Sequence, residues 1–518
     1  MEEDRPKPPP ARGTAEIKIP EVLFWCATIL MAYYWTLSTG VILDDAYIYF
    51  RLAENFLRLG KPVFNAGDSA FIATSVLWTF LLTAVKGLFP FLNIVLIAKG
   101  MWLLLLILAS YFAHRLWARH DAVSAIFAGA PFLLSPAVGL MTGGEIALLY
   151  SALLGALWAG DRDKAFAAGI FLGIGILTRG EFIFLAAPLL VHGCCTARRR
   201  GDSRARLLSR MAIFLGTGAI IVLLAHTYLW AAFGSPLPRT LKIKMMQGAS
   251  GQWPLFRQEI WNSLRRALPG ARIWLLPFAA LGAWKALKVF AGAAFYTLAY
   301  SLAYIGLKIP AYGWYYYPYT VLAPMLILAG IGAALDAVFH GAARILARVS
   351  GKPEGPGRAR PLWTGLAFAG VVLWMYPMHL ALFRPENAHR LLSVESDNER
   401  VLSYRKAAEW LRPRLAAGDV VLVQEIGILS ALLPGTEIRD TNGLASPIIT
   451  RETMNDWDLV VDMYRPRFIV FPIRVEAAEK TFTRQGRVHP YRPCFTANPS
   501  ASRYAADIYT ADPAKPET

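Results

Sequence analysis

Residues 22–45 read VLFWCATILMAYYWTLSTGVILDD, an apolar run that ends on two adjacent carboxylates, Asp44 and Asp45. A run of about twenty apolar residues is enough to cross the hydrocarbon core as a helix. An ionised Asp inside that core costs about 2.5 to 3.5 kcal/mol on insertion scales. Paired acids at the mouth of a span therefore either sit solvated among the headgroups or line a wet cavity that uses them. Asp44 and Asp45 are the first candidates for chemistry.

The rest of the chain repeats the pattern. Of its 518 residues 55% are hydrophobic and 17% charged, and the apolar residues come in long blocks. The fold class is a polytopic α-helical membrane protein. Segments near 21–41, 93–113, 122–141, 145–160, 165–178, 181–193, 211–232, 272–285, 289–306, 317–337 and 363–381 give about eleven transmembrane helices. A further apolar stretch, 72–88, is expected to lie in the outer leaflet rather than span. Residues 1–20 mix acids, bases and prolines without a cleavable signal and read as a cytoplasmic tail.

The formal charge of +17 is mostly topology. Arg198 to Arg210 holds six arginines against Asp202, and Arg344 to Arg360 is similarly basic, with Glu354 its one acid. Both lie between apolar spans, as cytoplasmic loops do. No aromatic interleaving or motif supports nucleic-acid binding. Cys26, Cys194, Cys195 and Cys494 form no CxxC pair, and the eight histidines show no metal-ligand spacing.

With the N-terminus inside, four segments gather outside: 44–71, 141–145, 178–181 and 233–270. The stretch after Asp45 reads as an amphipathic interfacial helix with Tyr49, Leu52, Ala53, Phe56 and Leu57 on one side, and 253–268 reads as another. Arg239, Lys242 and Lys244 in FGSPLPRTLKIK stand against the inside bias. Either they touch lipid headgroups or they answer an anion such as a polyprenyl phosphate. Glu145 in TGGE, with Arg179 and Glu181 in LTRGE, either pair with one another or bind substrate. The run Trp314 to Tyr319 suits an interfacial belt and also sugar stacking, which makes Tyr316 and Tyr317 candidates. Residues 382–518 carry soluble patterning. An amphipathic helix over 399–416 and apolar strands at DVVLVQ (419–424) and RFIVFP (467–472) predict a C-terminal α/β domain outside the membrane.

In order along the chain, DDAYIYFR, VFNAGD, TSVLWT, TGGE, LTRGE and SPLPRTLKIK resemble the GT-C superfamily of polyprenyl-phosphate-sugar-dependent glycosyltransferases. Within it they resemble the bacterial arabinofuranosyltransferases. The resemblance covers roughly residues 20–320, with an echo in EIGILSALL and DTNGLASP. It implies a GT-C catalytic domain over 21–381 and transfer of a sugar, arabinofuranose favoured, from a polyprenyl-phosphate donor to an envelope glycan or glycolipid. It places that reaction on the extracytoplasmic face of a bacterial inner membrane. It implies Asp44 or Asp45 as general base or as holder of a divalent cation, Lys244 beside the donor phosphate, and Glu145, Arg179 and Glu181 in the following motifs. Phe71, Ile72 and Ala73 depart from the family's Glu-Gly-Tyr, and Arg239 from its Asn.

The chemistry also follows without the family. A lipid phosphate leaves well once its charge is neutralised, which suits Lys244, Lys242 and Arg239. An acceptor hydroxyl needs a positioned carboxylate, so one Asp acts as base while the other orients it or the acceptor. Single displacement inverts the anomeric centre. A transporter or flippase of a lipid-linked saccharide is the competing reading, but it predicts inverted repeats that this sequence lacks.

Overall fold

The computed structural model describes residues 43–118, 141–267, 275–285, 287–350, 399–471, 491–497 and 505–510, with Ile29 and a few residues between 124 and 129. The tail 1–20, the expected spans 21–41 and 363–381, most of 122–141 and the linker 351–357 lie outside the described residues.

The described chain is mainly helical, with one small sheet near its C-terminus. The helices are α1 (Asp44–Leu59), α2 (Val76–Leu88), α3 (Ile94–Trp117), α4 (Ile146–Asp161), α5 (Ala165–Thr178), α6 (Ala186–Arg199), α7 (Arg204–Phe233), α8 (Arg239–Ser250), α9 (Phe256–Ala267), α10 (Leu276–Lys285), α11 (Leu287–Gly306) and α12 (Tyr317–Ser350). Four segments among the described residues are long and apolar enough to cross a membrane: Ile94–Trp117, Gly180–Arg199, Arg204–Phe233 and Gly313–Ala342. Of these, α7 starts on a Ser203 cap and ends where Gly234 takes a positive φ of 68°.

Bare backbone sets two of the helix crossings. On α5, a Cβ at Gly169 would strike the Phe214 carbonyl of α7; on α10, one at Gly282 would strike Leu326 of α12. Such close approach is how helices associate where lipid removes the hydrophobic drive between them.

The stretch 72–88 folds as α2, whose 13 residues measure about 20 Å, well short of a hydrocarbon core of about 30 Å. It packs beside α1, with the Phe80 and Phe56 rings 5.8 Å apart and Leu57 over Gly87. The basic loop 198–210 folds onto the turn after α4. Asp163 receives Arg200 and Arg210, and Asp202 receives Arg206 and Arg210 at 2.9 and 2.8 Å. Glu145 stands at the other end of α4, about 24 Å away along 16 residues. The acidic segments and the Arg-rich loop therefore occupy opposite ends of the bundle.

The C-terminal domain holds α13 (Glu399–Leu411), α14 (Gly427–Leu432) and α15 (Trp457–Tyr464) against strands β1 (Val420–Val423), β2 (Glu437–Arg439), β3 (Phe468–Phe471), β4 (Arg492–Ala497) and β5 (Ala506–Thr510). The sheet order is β2-β1-β3-β5-β4, parallel through the first three strands and antiparallel at β5 and β4. The expected strands at 419–424 and 467–472 are its adjacent parallel centre, while the helix expected over 399–416 ends at Leu411. Trp410 stacks on Phe495 at 5.1 Å and meets Phe468 edge-on.

This domain is docked on the loop that follows α1. The Asn65 side chain pairs with the edge of β2, donating to the Ile438 carbonyl and accepting its N–H, both at 2.9 Å. Arg439 reaches Asp68 at 3.2 Å. An exposed strand edge is thereby closed by the loop after α1.

In a cysteine-free background, Ser235→Cys after α7 and Arg199→Cys at the end of α6 are expected to react with an impermeant maleimide from opposite sides of the membrane. Labelling of both from one side would contradict the arrangement.

Candidate functional site

Asp44 and Asp45 share the first turn of α1, and successive helical residues point about 100° apart. The pair accordingly diverges. Asp44 is buried, and its carboxylate accepts the Gly427 N–H at 3.0 Å and the Ile428 N–H at 2.8 Å, both from the C-terminal domain. Asp45 lines a narrow cavity of about 50 Å³ shared with Glu145, Thr240, Lys244, Trp314 and Tyr315, with Leu444 of the C-terminal domain above it. That volume admits a water or a reacting hydroxyl.

Burial raises the Asp45 carboxyl to about 6, assisted by Asp44 and Glu145 and opposed by Lys244. Burial likewise lowers the Lys244 ammonium to about 8, with Asp45 opposing the shift. Its Nζ sits 3.8 Å over the Tyr312 ring, a cation–π contact that holds the charge toward the cavity. Around pH 7 the site thus carries a carboxylate and an ammonium together.

Helix α8 divides the three cations expected to act together. Thr240 and Lys244, one turn apart, face the Asp45 cavity. Arg239 and Lys242 face a second, larger cavity of about 690 Å³, lined by Phe71, Phe233, Leu237, Leu241 and Met245, with Arg451 of the C-terminal domain at its edge. The Arg239 backbone N–H donates to the Phe71 carbonyl at 2.9 Å, fixing the start of α8 to the loop between α1 and α2. Its Nε is shielded from water and has no hydrogen-bond partner among the described residues. A buried donor in that state calls for an acceptor.

Glu145, Arg179 and Glu181 do come together, as a buried network. Arg179 donates through Nε to Glu181 at 2.6 Å, through Nη1 to Glu145 at 3.2 Å, and through Nη2 to the Tyr304 hydroxyl at 2.8 Å. Its guanidinium lies 4.8 Å over the Tyr315 ring. Glu145 lines the cavity; Arg179 and Glu181 stand behind it and hold it in place.

The aromatic run turns differently from expectation. Residues Gly313–Tyr316 form a 3-10 turn, which brings Trp314 and Tyr315 to the cavity. Tyr316 stacks on Phe256 with centroids 4.6 Å apart and donates to the Phe256 carbonyl at 2.7 Å; Tyr317 pairs with Tyr296. Nothing in the residue spacing distinguishes these roles, because a 3-10 turn reassigns faces within one or two residues. Leu444 and Arg451 were also invisible, since the C-terminal domain reads as a separate unit until its docking is known. Asp440 shapes that loop by accepting the Leu444 and Ala445 N–H groups, each at 2.9 Å.

For a divalent cation, the divergence of the pair matters. Both Asp44 oxygens receive backbone amides of the C-terminal domain, while Asp45 lines the cavity. No group of three His, Cys, Asp or Glu side chains with ligand geometry occurs among the described residues.

No family model matches this sequence, and no curated protein matches it either. Among solved structures, the chain is similar to ArnT from Cupriavidus metallidurans bound to undecaprenyl phosphate. The TM-score is 0.49 and the identity 15%, over 96% of this chain and 99% of that one.

Removing Arg179 leaves two neighbouring carboxylates without their buried counter-ion. Arg179→Ala is expected to destabilise the protein by about 3 to 5 kcal/mol, and Tyr304→Phe by about 1 kcal/mol, read as thermal unfolding in lipid nanodiscs.

Proposed function

We propose that this chain is a membrane glycosyltransferase of the GT-C type. It moves a sugar from a polyprenyl-phosphate donor to an envelope glycan or glycolipid at the extracytoplasmic face of a bacterial inner membrane. The observation that carries the reading is the meeting of Asp45 and Lys244 in one narrow cavity, next to a larger apolar cavity edged by cations. Arabinofuranose is the favoured sugar, on the strength of the sequence resemblance around DDAYIYFR and SPLPRTLKIK.

The reaction needs few parts. The prenyl chain enters along the apolar wall of α8, among Leu237, Leu241 and Met245, with Arg239 and Lys242 drawing in its phosphate. Lys244 stabilises the negative charge that grows on the phosphate oxygen as its bond to the anomeric carbon breaks. Asp45 accepts the proton of the acceptor hydroxyl as that oxygen bonds to the same carbon from the opposite face, with inversion. Polyprenyl phosphate leaves, and the proton passes from Asp45 to water. Trp314 and Tyr315 offer faces for the sugar ring, and Glu145 accepts from a sugar hydroxyl.

Radiolabelled sugar transfer from synthetic polyprenyl-phosphate arabinose to an oligosaccharide acceptor tests the proposal. Asp45→Asn is expected to lower kcat by about 10² to 10⁴-fold. A wild type that fails with every lipid-phosphate sugar in a panel would sink it.

The pH dependence has a definite sign. Asp45 is a base only above about 6, and Lys244 is cationic only below about 8. The kcat/KM profile of the free enzyme is therefore expected to be a bell with a maximum near the middle of that window, and Lys244→Met should remove the alkaline limb.

A further inference from the structure

The C-terminal domain grips α1 at two points. At one, Gly427 and Ile428 in the first turn of α14 donate their N–H groups to the Asp44 carboxylate. At the other, the Arg51 guanidinium donates to carbonyls in the last turn of the same short helix and just beyond it. It reaches Ser430 at 2.6 Å, Leu433 at 3.2 Å and Thr436 at 2.6 Å. Arg51 is itself pinned to the outer loop through the Phe64 carbonyl at 2.6 Å and Asn65 at 3.2 Å.

The spacing of the two grips matches. Asp44 to Arg51 is seven residues, about 10 Å along α1, and Gly427 to Leu433 is six, about 9 Å along α14. Residues seven apart also share a helix face. A carboxylate at one end and a guanidinium at the other thus fix both the axial position of α1 and its rotation. The approach is backbone to backbone at Gly427, where a Cβ would run into the Asp44 carbonyl.

Asp45 is the next residue along that fixed turn, so its Cα is held 3.80 Å from that of Asp44 by the intervening peptide. We infer that the C-terminal domain is a working part of the transfer site: by clasping Asp44 and Arg51 across α14, it sets the position of Asp45. Asp44, Arg51 and Gly427 are then positioning residues. The inference rests on the reading of Asp45 as proton acceptor, and it gives the C-terminal domain a role in the chemistry. Charges facing the Asp45 carboxyl are Lys244, Asp44, Glu145 and Arg400, and Glu425 lies beside Asp44.

The test is Gly427→Ala, made in the full chain in nanodiscs and compared with Asp44→Asn. A displacement of about 1 Å at a reacting group lowers turnover by about 10²-fold, so each variant is expected to lose 10- to 100-fold in kcat. Donor KM should stay close to the wild-type value, and the acid limb of the pH profile should move. If Gly427→Ala does not fold, Arg51→Lys keeps the charge, gives up the fork, and should show the same split between kcat and KM.

A second readout needs no turnover. The thiol of Asp45→Cys, titrated by its alkylation rate with iodoacetamide, reports its surroundings directly, and Gly427→Ala should shift its midpoint by about one pH unit. Wild-type kcat and an unmoved acid limb in Gly427→Ala overturn the positioning role while leaving Asp45 as acceptor. Abolished transfer in Asp44→Asn beside wild-type kcat in Gly427→Ala would mean that Asp44 meets substrate itself. Full transfer in Asp45→Asn overturns the underlying reading, and the thiol titration then decides the positioning alone.

Discussion

Arg51 carries the constraint on which the union of α1 with the C-terminal domain depends. It is 4% exposed, and it donates to three carbonyls of the C-terminal domain and to two acceptors of the loop after α1. A buried guanidinium is tolerable only when nearly every donor finds an oxygen, so the segments that supply those oxygens are not free to move apart. Asp44 does the same with the opposite sign, seven residues earlier. Between them these two charges convert a surface helix and a soluble domain into a single floor and roof, with the Asp45 cavity between.

The division made by α8 follows from ordinary helix geometry. Residues 240 and 244 fall on one face and residues 242 and 245 on another, so a helix with cations on two sides serves two spaces at once. The small space is polar and close to a carboxylate; the large one is apolar with a cationic edge. That contrast suits a reaction in which a lipid must remain in an apolar setting while its sugar is presented to a wet, charged one.

The membrane class, the helix limits near 94–117, 146–161 and 165–178, and the two central strands at 420–423 and 468–471 were legible because they rest on long apolar periodicity. The Asp pair was legible as costly, since charge at a membrane edge has few uses. What the pair does individually was not, because the 100° turn between neighbours has meaning only once the partners of each face are known. That Trp314 and Tyr315, not Tyr316 and Tyr317, reach the cavity is illegible for a similar reason: a 3-10 turn in an aromatic run leaves no periodic trace. The C-terminal domain read as independent because its bonds to α1 link residues 383 and 384 positions apart, a distance at which no local pattern survives.

That separation also sets a clock. A chain growing at about 5 to 20 residues per second needs roughly 20 to 80 seconds between the appearance of Asp44 and that of Gly427. Through that interval α1 has its carboxylate and guanidinium but not the amides and carbonyls that answer them, so they must stay in water. The Asp45 cavity is closed last, when the C-terminal domain has folded onto α1. Until those residues are made the Asp45 cavity lacks its roof, and its closure waits on amides that lie 383 and 384 positions after Asp44.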